Sequence, residues 1–71
     1  MNEYSRILIE EYCISHNSKK SRRLSDLLDL SYSFGREPTD DDAIFLEKAI
    51  QSERNSELKE ALSDLDEYLF G

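Results

Sequence analysis

Cys13 and His16 are the only cysteine and the only histidine in the chain, and they stand three residues apart. A thiolate nucleophile needs a neighbouring base, so the pair has the elements of a catalytic dyad. Acyl transfer would also need an oxyanion site and a cleft, which a chain of 71 residues scarcely offers. The same two residues cannot supply the ligands of a zinc site, and a lone cysteine cannot close an intramolecular disulfide. Asp40, Asp41 and Asp42 form the densest run of hard oxygen ligands. Calcium loops alternate ligands with spacers and need a glycine at the sharp turn. Three adjacent aspartates leading into an apolar-periodic segment instead suit the first turn of a helix, where the positive end of the dipole favours anions. "RRLS", Arg22 to Ser25, has the pattern of a basophilic-kinase substrate, but Ser25 falls inside a helical segment. "DLLDL", Asp26 to Leu30, is similar to half of a trafficking-adaptor peptide; such peptides act when extended, and here the leucines fit a buried stripe. No enzyme activity, cofactor or metal is expected.

"SHNSKKSRRLSD" gathers Lys19, Lys20, Arg22 and Arg23, four of the nine basic residues in a chain of net charge −7. Phosphate contacts by such a cluster would gain from counterion release. The remainder of the chain carries a net charge of −11. A domain with a radius of gyration near ~11 Å must hold that charge close to any bound duplex. Screening over a Debye length of about 8 Å weakens the repulsion without removing it. No aromatic residue interleaves the cluster to stack bases, as single-strand binders require. Nucleic acid is therefore the least favoured partner, and these cations are expected to face solvent or protein.

These residues are carried by helices. The chain has no Val and one Thr, while Leu, Glu, Lys and Ala fill its periodic segments; unbranched residues keep their rotamer freedom in a helix. In "NEYSRILIEEYCISH", Tyr4, Ile7, Leu8, Glu11 and Ile14 share one face, with Ile9 and Cys13 on another side. This segment is apolar around much of its girth, which suits contact with two neighbours. "SRRLSDLLDLSYSF" stacks Leu24, Leu27, Leu28 and Ser31, with Asn17, Ser18 or Ser21 available as its cap. Gly35 can end that helix in the left-handed conformation, and Pro38 cannot continue one. Thr39 then caps a third segment with Ala43, Leu46, Ala49 and Ile50 on one face. "QSERNSE" has nothing apolar and predicts a break, with Asn55 or Ser56 capping a last amphipathic segment. There Leu58, Ala61, Leu62, Leu65, Tyr68 and Leu69 lie opposite Glu57, Glu60, Asp64 and Glu67. "LSDL" occurs at Leu24–Leu27 and again at Leu62–Leu65, an echo that Leu-rich helices produce readily.

The expected fold is all-α: a single domain over residues 1–71, a small bundle of three to four short amphipathic helices, with Leu27, Leu46, Leu62 and Leu65 in its core. A chain this short buries a marginal core, so homodimerisation is an attractive way to complete it. Charges at Glu3, Arg6, Glu10 and Glu11 exclude a secretory leader in the first segment, and no apolar run is long enough to span a bilayer. With its unpaired cysteine, a cytoplasmic location follows. Function is then expected through protein contact: an inhibitor, an immunity- or antitoxin-like module, or a regulatory adaptor with a basic partner. Residues 37–71 hold eleven acidic and three basic groups. The candidate contact residues are Asp40, Asp41, Asp42, Glu47 and Glu53, with the aromatic anchors Tyr68 and Phe70; Tyr4 and Tyr12 add further spare aromatic surface. The alternatives are an acidic decoy that mimics nucleic acid, and direct nucleic-acid binding through Lys19, Lys20, Arg22 and Arg23.

Overall fold

The computed structural model describes residues 1–32 and 35–71. Four α-helices are present among them, with no strand: α1 (Glu3–Ser15), α2 (Lys19–Leu30), α3 (Asp40–Ser52) and α4 (Ser56–Phe70). Each begins on a side chain that satisfies a backbone N–H left free at a helix start. Asn2 Oδ1 accepts from Tyr4 N at 2.8 Å, and Asn55 Oδ1 accepts from Leu58 N at 3.0 Å. Ser18 and Ser21 form one capping box, and Thr39 and Asp42 form another.

The predicted break after α3 is present. Glu53 ends α3 in an extended conformation, and Asn55 opens α4. Lys59 crosses the break and donates from Nζ to the Ile50 carbonyl at 2.9 Å, so a cation occupies the negative end of α3.

The predicted extent of α2 needs correction. It starts at Lys19 and stops at Leu30, well short of Gly35; Ser33 and Phe34, placed in this helix by their spacing, lie outside the described residues. Two tight backbone bonds close it, Ser31 N–H to Leu28 O and Tyr32 N–H to Asp29 O, both spanning three residues. The Ser31 hydroxyl also donates to Leu28 O at 2.5 Å. Gly35 does adopt a positive φ of 90°, but as part of the connection rather than as the residue that ends the helix.

α1 lies between α2 and α4, and α3 packs on α4. The core is made of Ile9, Leu24, Leu27, Leu46, Leu62 and Leu65, all fully buried, with Leu28, Leu30, Ala49 and Ala61 around them. All four leucines expected in the core are there. Both copies of "LSDL" place their two leucines in it, because positions i and i+3 share one helix face. Each such side chain contributes about 1.5–3 kcal/mol by leaving water. The radius of gyration is 10.9 Å and the principal extents are 27 × 23 × 21 Å. No helix among the described residues is long and apolar enough to cross a membrane.

α1 has the two neighbours its apolar girth suits, and the structure decides which face it turns to them. Ile9 is its fully buried residue, with Leu8, Tyr12 and Cys13 half-buried beside it. Tyr4, Ile7, Glu11 and Ile14, four of the five residues that share the other face by their spacing, are exposed. At 100° per residue they span an arc of about 80° centred opposite Ile9. The tertiary partners decide the matter. α2 and α4 flank one side of α1, and only the Ile9 side can face both.

Candidate protein-contact surfaces

Asp42 is the most heavily engaged carboxylate. It is 2% exposed. Its Oδ2 accepts from Thr39 N at 2.9 Å, while its own N–H donates to Thr39 Oγ1 at 3.2 Å. The Arg36 guanidinium grips both carboxylate oxygens, Nη1 to Oδ2 at 2.5 Å and Nη2 to Oδ1 at 3.2 Å. Arg23 Nη2 stands 3.6 Å from Oδ1. Arg36 above all, and then the Thr39 bonds, hold the Asp42 carboxyl well below the usual carboxylate range against the opposing effect of burial. Asp42 is thus removed from the expected contact set: a helix-capping carboxylate with its oxygens already taken has nothing to offer a partner. Asp40, Asp41 and Glu47 stay exposed on α3, and Glu53 is half-buried, accepting from Asn55 N at 3.1 Å.

Arg36 also reaches Asp26 on α2 at 2.8 Å, so one side chain from the connecting segment buckles α2 to α3. Nothing in the letters singles it out. It precedes Asp42 by six residues across a loop, where helical spacing has no meaning.

Three of the four clustered cations turn onto the protein itself. Arg23 lies over the Phe45 ring at 4.5 Å as well as beside Asp42. Lys20 Nζ is 5.8 Å from the Tyr12 ring centroid, and Arg22 donates to Asn17 Oδ1 at 3.2 Å. Lys19, Arg22 and Arg23 remain exposed, with Lys20 half-buried.

Cys13 and His16 line the same shallow groove between α1 and α2. The His16 ring stacks on Tyr12 with centroids 4.1 Å apart, and Nδ1 is 3.0 Å from Tyr12 O. A carbonyl can only accept, so that contact places a proton on Nδ1. Burial, with Glu10 adding to it, pushes the Cys13 thiol up, toward the protonated form rather than the thiolate. Among the described residues no group of three or more His, Cys, Asp or Glu is placed to hold a metal ion.

The apolar surface is divided. Tyr68 is 52% and Phe70 36% exposed at the end of α4, as interface residues would be. Ile44 is exposed on α3 beside Phe45, Arg23 and Lys48. The longest series is the outward side of α1, where Tyr4 is 58%, Ile7 39% and Ile14 86% exposed. Tyr4 is among the aromatic residues that the sequence marks as spare surface; Ile7 and Ile14 are what the structure adds beside it. Next to them, the cleft between α1 and α4 is lined by Tyr4, Leu8 and Ala61 and by the carboxylates of Glu57, Glu60 and Asp64. The Tyr4 hydroxyl donates to Glu57 Oε2 at 2.5 Å across this cleft, and that bond raises the Tyr4 pKa. No family model, no curated protein and no solved structure matches the chain.

Proposed function

We propose that the protein acts by contact with another protein, as a small acidic binding module that inhibits or regulates its partner. The observation that carries this is the outward side of α1. Single exposed apolar residues are ordinary on a soluble protein. Tyr4, Ile7 and Ile14 are different because they recur at intervals of three and seven on one face, directly away from the core. An apolar stripe, here interrupted once by Glu11, is the kind of surface that interfaces cover. Tyr68 and Phe70 add aromatic area at one end of α4, and aromatic residues are common interface anchors.

The test is site-specific crosslinking in cells of the source organism. A photoreactive residue replaces Ile14 in one variant and Glu47 in a second. A discrete adduct with one protein at position 14, lost when Ile7→Ser is added, is the expected result. Absence of any protein adduct from both positions would remove the reading. An adduct from position 47 alone would move the contact to the acidic side of α3.

The decoy version of this reading draws on the carboxylates of α4. The ion pairs among the described residues use Arg6, Arg23 and Arg36 with Glu3, Glu10, Asp26 and Asp42, so Glu57, Glu60 and Glu67 are not tied up in any of them. A decoy is recognised by competition: nucleic acid would displace the protein from its partner.

A further inference from the structure

The outward side of α1 and the cleft beside it have a chemistry that selects among partners. Tyr4, Ile7, Glu11 and Ile14 are spaced by three, four and three residues, the interval of a coiled-coil seam. From Tyr4 to Ile14 the seam runs about 15 Å, enough for some three turns of a second helix. Its border on the α4 side is acidic: Glu57, Glu60 and Asp64 line the cleft, and Glu11 lies exposed within the seam itself. Two nearby cations are occupied, while Arg22 lines the α1–α2 groove beside Ile14. Arg6 is closed onto Glu10 at 2.8 Å and Glu3 at 3.2 Å, and Lys59 is drawn to the Ile50 carbonyl. Tyr4, fixed by Glu57, presents its ring as an anchor already held in place.

We infer that this seam, with the α1–α4 cleft, receives a basic amphipathic helix of another protein, its apolar face on Ile7 and Ile14 and its Lys or Arg residues on the acidic border. This rests on the protein-contact reading and specifies the partner's chemistry. Charge complementarity carries the choice of occupant. A second copy seated symmetrically would bring identical patches together, setting Glu11 and Glu60 against like charges in a chain of net charge −7. A helix bearing cations at its edges meets the same carboxylates with the opposite sign. The helix-in-groove mode supplies the apolar half of the recognition.

Three labelled peptides of equal length test this on the full chain: a Leu/Lys amphipathic helix, the same composition shuffled to abolish the apolar face, and a Leu/Glu amphipathic helix. Affinity is read by fluorescence anisotropy, the site by backbone amide shifts, and the oligomeric state by sedimentation. The Leu/Lys helix is expected to bind, with shifts confined to residues 3–14 and 57–64. The shuffled and acidic peptides should bind at least about tenfold more weakly, and Ile14→Ser should weaken the Leu/Lys helix by a similar factor, the usual size of an anchor's loss. Ile14 is 86% exposed, so this variant keeps the fold. Glu11→Gln with Glu60→Gln should slow association, whereas Glu47→Gln should change nothing. Equal binding of the shuffled peptide would reduce the effect to net charge and overturn the inference. So would shifts centred on α3, indifference to Ile14→Ser, or a dimer that Ile14→Ser dissolves. If crosslinking captures a partner at position 14 while the Leu/Lys helix fails to bind, the protein-contact reading stands and the basic helix falls.

Discussion

At Asp42 two carboxylate oxygens accept from the Thr39 backbone and from both terminal nitrogens of Arg36, with Arg23 alongside. Because the folded pKa is depressed, the carboxylate's contribution to stability is complete above its unfolded value of about 3.9 and is lost as pH falls through the lower folded value. Asp42→Asn should therefore lower the melting temperature at pH 7 and flatten its dependence on pH below about 4. Arg36→Gln leaves the carboxylate buried with less compensation, so its acid-unfolding midpoint, read by circular dichroism, should move to higher pH than the parent's. The same geometry separates the clustered cations. Lys19→Gln, Lys20→Gln and Arg22→Gln together should melt close to the parent, since exposed charges contribute little. Arg23→Gln alone should melt lower, because it loses both the Phe45 ring and the Asp42 contact. A triple variant less stable than Arg23→Gln would reverse this ranking.

The four helices differ in how plainly they declare their inner faces. Ile9→Ala should cost about 2–5 kcal/mol, as removal of a fully buried aliphatic side chain does. Ile14→Ala should stay within about ±0.5 kcal/mol. Chemical denaturation of the two variants checks both figures, and equal losses would mean that both faces of α1 are covered. α2, α3 and α4 were legible because each has one apolar stripe against polar neighbours. Leu27, Leu46, Leu62 and Leu65 could be placed, and Thr39 could be named as a cap, from local chemistry alone. α1 has apolar residues at 4, 7, 8, 9, 12, 13 and 14, so two faces compete and periodicity alone does not choose between them. What decides between them is the position of α2 and α4, which no local pattern contains. The contact surface was half legible for the same reason: Tyr4 reads as spare aromatic surface, but no local pattern shows that Ile7 and Ile14 lie outside the core beside it. Asp42 was misassigned in the opposite sense. As one of three aspartates it looked no different from Asp40 and Asp41, and its burial depends on Arg36, which lies on another segment.

At the scale of the whole molecule, α1 joins helices from both ends of the chain. It packs on α2 through a three-residue connection and on α4 across more than forty residues. α3 packs chiefly on α4, and Arg23 of α2 and Arg36 of the connecting segment tie it to α2 through Asp42 and Asp26. Removing α4 would strip Ile9 of one of its two neighbouring helices and α3 of its principal support. A fragment of residues 1–55 should accordingly show a spectrum close to random coil. A synthetic peptide of residues 56–71, added at stoichiometric concentration, should restore helicity and a cooperative melt. A fragment that folded without the peptide would show that α1 and α2 hold together as a hairpin on their own.

The α1–α4 pairing also sets an order of events in time. Helical proteins usually fold quickly because their contacts are local. Here the Asn2 backbone N–H donates to Asp64 Oδ2 at 3.0 Å, and Tyr4 reaches Glu57, so the contacts that cover Ile9 require nearly the whole chain to close as one loop. Loop closure costs entropy before the distant contacts repay it. The α1–α2 hairpin can flicker early, but its apolar side stays wet until the last helix docks. Mutations at the α1–α4 seam should therefore slow folding.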